Sequence, residues 1–164
     1  MTVMAQALQV LAHQFPGSSE TADALAAFKN RFADDPLALD KWYSIQAMTP
    51  GADTCARVED LLDSADFDRT NPNRMRSLIG SFSAGNPTGF NAADGAGYRL
   101  LAREVIDIDK RNPQLAARLL TAMRSWRSLE AGRQELARQA LVSIREAGEL
   151  SPDVGDIVDR MLTN

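Results

Sequence analysis

Apolar residues recur through most of this chain at the spacing of one helix face. In the central stretch 71–103, Asn71 followed by Pro72 predicts a helix start, because asparagine caps helices well and proline suits the first helical position. The helix face itself is predicted by four apolar residues at i, i+3, i+4 and i+7: Met75, Leu78, Ile79 and Phe82. Beside that face lies a second stripe, formed by Arg76, Gly80 and Ser83, in which small residues flank a long cation.

The same two signals, apolar spacing and helix-start residues, predict about eight to nine helices along the whole chain. They cover roughly 2–15 and 19–32, and others begin near 36, 54, 72, 95, 113, 130 and 152. The segment 84–94 is predicted as a loop, and it is too long to be a simple turn. Loops of this length are usually functional or ordered by packing.

Four prolines, each preceded by Asp, Asn or Ser, divide the chain into similar intervals of 36, 41 and 39 residues: Pro36, Pro72, Pro113 and Pro152. Each interval holds two predicted helices. This period is typical of an αα-superhelix of the HEAT or armadillo type, in which two-helix units stack on one another. We therefore predict an all-α solenoid in which residues 1–164 form a single helical-repeat domain.

Three of the proline-started helices carry a cation in their second turn, namely Lys41, Arg76 and Arg118. Alternate helices of such a solenoid share a layer, with neighbours about 8–10 Å apart. The sequence therefore predicts a basic ladder on one wall. Two other interpretations stay open, that Arg76 pairs with a neighbouring carboxylate and that the ladder is a coincidence of surface charge.

Composition and charge exclude several classes of protein. Hydrophobic residues make up 45% and aromatic residues 6%, with few strand formers, which favours an all-helical fold. A net charge of −4 argues against general nucleic-acid binding. Cys55 is the single cysteine, so it forms no internal disulfide and suits a reducing compartment, which predicts a cytoplasmic protein. No apolar run approaches the roughly 18 residues of a membrane span.

Residues for catalysis or metal binding are sparse. His13 is the only histidine and has no ligand-spaced Cys or carboxylate nearby, so we expect neither a metal site nor a cofactor in this chain. The serines Ser81 and Ser83 have no general base. We therefore expect no catalytic residue here.

Four segments carry a specific resemblance to a known family: LALDKWYSIQA, NPNRMRSLIGSF, GNPTGFNAADGAGYRLLA and RNPQLAARLL. Together they resemble the C-terminal helical domain of bacterial aminopeptidase N, a member of the M1 zinc aminopeptidases. The likeness covers nearly the whole chain. One departure is Asn91, which stands where relatives often carry histidine, so a role tied to that ring is not expected here.

The resemblance implies the C-terminal portion of a larger peptidase that removes N-terminal residues from peptides. In that family an H-E-x-x-H helix binds zinc, and this chain has none, so we expect it to be inactive alone. The family's helical domain encloses the substrate chamber, and arginines in its matching motifs correspond to Arg76 and Arg118. Lys41 joins them as a substrate-binding candidate only through the ladder. The implied partners are the catalytic domain of the same polypeptide and peptide substrates, and the isolated chain is expected to self-associate.

Two other classes remain open from the residues alone. One is a stand-alone helical-repeat scaffold that binds an acidic peptide on the ladder face, which the genomic context of the coding sequence would identify. The other is a hydrolase with an unrecognised site of its own, which metal analysis and a peptidase assay on the pure chain would detect.

Overall fold

The structure, a computed structural model, describes residues 1–163, and over this range it contains helices and turns but no strand. The all-α prediction is confirmed. The helices are α1 (Thr2–Gln14), α2 (Ser19–Arg31), α3 (Pro36–Met48), α4 (Thr54–Leu62), α5 (Pro72–Met75), α6 (Ser81–Gly85), α7 (Pro87–Phe90), α8 (Ala96–Asp109), α9 (Pro113–Leu120), α10 (Ala131–Arg145) and α11 (Pro152–Thr163). A π-helical turn, Arg76–Gly80, joins α5 to α6, and 3-10 turns occupy Thr121–Met123 and Trp126–Ser128.

The capped starts of the proline-led helices form as the sequence predicts. The Asp35 carboxylate accepts hydrogen bonds from the amides of Leu37 and Ala38 at the start of α3. Asn71 likewise accepts from the first amides of α5, and Asn112 accepts from the Leu115 amide in α9. These bonds satisfy amides that have no partner inside their own helix, and so they determine where each helix begins.

The predicted buried face of the fifth helix is confirmed, because its four apolar residues are each at most 1% exposed: Met75, Leu78, Ile79 and Phe82. That helix is continuous from α5 through the π-helical turn to α6. The adjacent stripe of Arg76, Gly80 and Ser83 does not form one exposed surface, although its spacing suggests one. Arg76 is exposed, but Ser83 is buried and donates its hydroxyl to the Ile79 carbonyl. The wider π turn lies between the two residues and breaks the α-helical register on which the stripe was predicted.

The chain forms two compact units, Met1–Gly89 and a second that begins at Phe90. In the first unit α3 is central and packs against α1, α2, α4 and the π-helical turn. In the second, α8 packs on α9 and α10, and α11 packs on α9 and α10. Within each unit, proline-led helices are therefore neighbours: α3 contacts α5, and α9 contacts α11.

The prediction that residues 84–94 form a loop is only partly right, because α6 extends to Gly85 and α7 covers Pro87–Phe90. The first part of the segment is held by hydrogen bonds of Asn86. Asn86 is 3% exposed, and its side-chain amide donates to the carbonyls of Ala47 and Thr49 at 3.0 and 3.1 Å. Its side-chain oxygen accepts from the Gly89 amide at 3.0 Å, which closes the single turn of α7. One buried side chain thus fixes α7 to the end of α3.

Over residues 1–163, no helix combines the length and apolar character needed to cross a membrane.

Candidate functional site

Arg76 opens the π-helical turn, and its side chain is exposed. Its guanidinium donates to the side-chain oxygen of Asn73 at 3.0 Å, and within residues 1–163 it forms no ion pair with a carboxylate. The interpretation that Arg76 pairs with a neighbouring acid is therefore wrong for this structure. Isolated π turns are frequent at functional sites, and this one presents a guanidinium whose charge is not neutralised.

The arginine that does pair with an acid is Arg74, two residues earlier. It is 8% exposed, and its Nε lies 3.3 Å from the Oδ1 of Asp40 on α3, although the two groups are not aligned as a hydrogen bond. The guanidinium also lies 5.0 Å from the ring centre of Tyr43. Burial raises the pKa of the Asp40 carboxyl, and the charge of Arg74 opposes that rise. Arg74 therefore attaches α5 to α3.

Lys41 is half-buried on α3 and lines a groove of about 550 Å³ between α1 and α3. The same groove is lined by Ser44, and by Ser77 from the π-helical turn. Arg76 does not line the groove, but its neighbour Ser77 does. Lys41 has no ion-pair partner in the part of the chain that the structure describes.

Arg118 lies on α9 in the second unit and is exposed. Its carbonyl accepts the Thr121 hydroxyl at 2.6 Å, while its guanidinium has no partner among the described residues. The three predicted cations thus share one property, a charge that no carboxylate of residues 1–163 neutralises. Lys41 and Arg76 belong to the first unit and Arg118 to the second.

Asn91 has a structural role. Its side-chain oxygen accepts the Tyr98 hydroxyl at 2.7 Å, and its carbonyl accepts from the Nε of Arg133 at 2.6 Å. Burial raises the pKa of Tyr98, so the hydroxyl remains protonated as a donor near neutral pH. Asn91 therefore connects the segment before α8 to α8 and α10.

Among residues 1–163, no group of three or more His, Cys, Asp or Glu side chains is arranged to hold a metal ion. Cys55 is buried, and His13 is half-buried near the end of α1.

Sequence reasoning missed both the π turn and the buried role of Arg74. A signal for Arg74 was present, since it lies four residues before Leu78 and eight before Phe82, at the edge of the apolar face. No local sequence pattern predicts the π turn.

Comparison with known proteins gives consistent matches. A family model described as "Domain of unknown function (DUF3458_C) ARM repeats" matches residues 1–163. The chain is 36% identical over 160 residues to Aminopeptidase N of Escherichia coli strain K12, which covers 97% of this chain and 18% of that protein. It is 37% identical over 139 residues to Aminopeptidase N of Caulobacter vibrioides, which covers 85% of this chain and 16% of that protein.

A solved structure agrees with these matches. It is described as the crystal structure of Legionella pneumophila aminopeptidase A in complex with aspartic acid, and it superposes with a TM-score of 0.89 at 36% identity. The match covers 99% of this chain and 19% of that one. This chain therefore spans less than a fifth of the length of these relatives, and the ARM-repeat match confirms the predicted αα-superhelix class.

Proposed function

The chain belongs to the family of C-terminal ARM-repeat domains of M1 aminopeptidases, and we propose that it serves a zinc-dependent aminopeptidase as a non-catalytic domain that encloses the substrate chamber. The complete enzyme removes N-terminal residues from peptides. Its zinc is held by the rest of the polypeptide, because residues 1–163 offer no ligand set. The catalytic domain of the same polypeptide is then the partner of this segment.

Within that enzyme, Arg76 and Arg118 contact the part of the peptide beyond its first residue, with Lys41 as a further contact. The observation that supports this proposal is the environment of Arg76, an exposed guanidinium on a π turn that, among residues 1–163, bonds only a neutral amide oxygen. A guanidinium recognises carboxylates and carbonyls through charge-assisted hydrogen bonds. Arg118 is equally available, since no described residue pairs with its side chain.

Contacts of this kind assist cleavage by holding the substrate in place. A peptide whose amino end is held in the catalytic domain extends its remaining carbonyls and its terminal carboxylate away from the scissile bond. Arginines that bind those groups restrict the orientations of the bound peptide, so the scissile bond is held near the geometry needed for cleavage. A substrate with a single residue and a small leaving group does not reach them, so the contribution of the arginines depends on substrate length.

Replacing Arg76 or Arg118 by alanine in the complete enzyme is expected to reduce kcat/KM for a tripeptide by about 5- to 150-fold, the equivalent of about 1–3 kcal/mol per charge-assisted contact. Hydrolysis of an aminoacyl p-nitroanilide should change much less. Arg138→Ala is the matched control, because Arg138 is an exposed arginine on α10 that pairs with Glu135.

Steady-state kinetics on both substrates measures this effect. Equal losses on the tripeptide and the p-nitroanilide would make the arginines structural, and unchanged tripeptide cleavage in both variants would refute their substrate role. Raised salt gives a second measure, because exposed charge contacts weaken with ionic strength.

The isolated chain has exposed apolar surface on and next to α1, where Val3, Val10 and Phe15 are 77%, 63% and 61% exposed. Apolar surface of this kind favours association in water. The proposal therefore includes self-association of the chain when it is separated from its catalytic domain. It also includes a cytoplasmic location for the whole enzyme, because the single cysteine Cys55 suits a reducing compartment.

A further inference from the structure

We propose that Ser44 is a positioning residue that holds the π-helical turn and, through it, Arg76. This inference rests on the proposed substrate role of Arg76, and it adds a residue on a different helix. Ser44 lies on α3, and its hydroxyl donates to the Ser77 carbonyl in the turn at 3.0 Å. The same hydroxyl accepts from the hydroxyl of Ser81 at 3.1 Å. One side chain of α3 thus meets both the turn and the first residue of α6.

The backbone of the turn explains why this contact matters. In an α-helix the Ser81 amide would donate to the carbonyl four residues earlier, which is that of Ser77. Here the Ser81 amide donates instead to the carbonyls of Arg76 and Leu78. It bypasses the Ser77 carbonyl, and the Ser44 hydroxyl supplies a donor to that oxygen. The hydroxyl therefore stabilises the π pairing over the α pairing.

The choice between these two pairings determines the direction of Arg76. One residue corresponds to about 100° of rotation around a helix of 3.6 residues per turn. A change from π to α pairing would therefore rotate the segment that carries Arg76 by up to about 100° relative to α6. Arg74 and Met75, which precede the turn, and Phe82, which follows it, are all buried. Because these flanking residues are held in the core, such a rotation would occur within the turn itself.

The kinetic test uses the complete enzyme with Ser44→Ala, Ser44→Thr, Arg76→Ala and the double variant S44A/R76A. S44A is expected to reduce kcat/KM for a tripeptide by about threefold to tenfold, which is the effect of one lost neutral hydrogen bond. Cleavage of an aminoacyl p-nitroanilide should stay within about twofold of the parent. S44T keeps the hydroxyl and should restore tripeptide cleavage. The double variant should match R76A alone, because Ser44 acts through Arg76.

The matched control is Ser143→Ala, since the Ser143 hydroxyl bonds the Ala140 carbonyl within its own helix. Equal losses on both substrates, or a further loss when S44A is added to R76A, would overturn the positioning role. No loss in R76A itself would mean that the proposed function fails.

Hydrogen exchange on the complete enzyme separates the two failures. The amides of residues 78–82 should exchange faster in S44A than in S143A if Ser44 holds the turn. Equal exchange in the two variants would overturn the inference whatever the kinetics show.

Discussion

Replacing Gly97 with alanine is expected to destabilise the second unit by about 3 kcal/mol, because the added carbon has no space. A Cβ at this position would lie 2.3 Å from the carbonyl oxygen of Phe90 and 3.0 Å from its carbonyl carbon. Both atoms are backbone, so no side chain can rotate away. The rings of Phe90 and Tyr98 are buried and pack edge to face at 5.3 Å, which holds the two segments together.

Thermal unfolding followed by circular dichroism measures this effect. In a protein of this size each kcal/mol lowers Tm by about 2–4 °C, so Gly97→Ala should lower it by about 6–12 °C. Gly155→Ala is the control, because among residues 1–163 a Cβ there would meet only the Cβ of Leu150, at 4.0 Å, and alanine favours the helix of α11. A Gly97→Ala variant that unfolds at the Tm of the parent would show that α8 does not approach Phe90 this closely.

Replacing Arg74 with methionine is expected to reduce the free energy of unfolding by about 2–3 kcal/mol at neutral pH. Methionine keeps the length of the side chain but leaves Asp40 without its counter-ion. The Asp40 side chain is only 17% exposed, so its charge stays poorly solvated. The second substitution Asp40→Asn removes that charge and should recover at least about 1 kcal/mol.

The loss of unfolding free energy in Arg74→Met should be larger at pH 7 than at pH 4. Burial raises the pKa of Asp40 in the folded chain, and removal of Arg74 raises it further. The folded state then binds more protons than the unfolded state between the two pKa values, so stability falls as pH rises through that window. Arg74→Met should therefore be closer to the parent near pH 4 than at pH 7 in urea unfolding. A loss that is the same at both pH values would mean that the Asp40 charge is not the cause.

Local signals in the sequence were sufficient for most of the helices, although not for α7, whose residues were predicted as a loop. The caps at Asp35, Asn71 and Asn112 form bonds to amides two or three residues away, so both partners are visible in a short window. The buried face of the fifth helix was predicted from the spacing of its apolar residues, and these residues are buried although the π turn lies among them. The family motifs around Arg76 and Arg118 were likewise contiguous in the chain.

The rest depends on partners far apart in sequence. Ser44 and Ser77 are 33 residues apart, and Asn86 bonds a carbonyl 39 residues away. The π turn and the ordering of segment 84–94 result from such contacts, and no window of sequence contains both partners. The same holds for Arg74, because its ion-pair partner Asp40 lies on α3. The position of Arg76 was therefore predictable, whereas the support that orients it was not.

The most direct test of the proposed substrate role is a crystal structure of the complete enzyme with a slowly cleaved tripeptide analogue bound. We expect the guanidinium groups of Arg76 and Arg118 to lie within about 2.7–3.2 Å of carbonyl or carboxylate oxygens beyond the first residue of the peptide. The Arg76–Gly80 turn should keep its π pairing, with the Ser44 hydroxyl on the Ser77 carbonyl. A peptide that contacts neither arginine, with both guanidinium groups paired to carboxylates of the enzyme or facing bulk water, would contradict it.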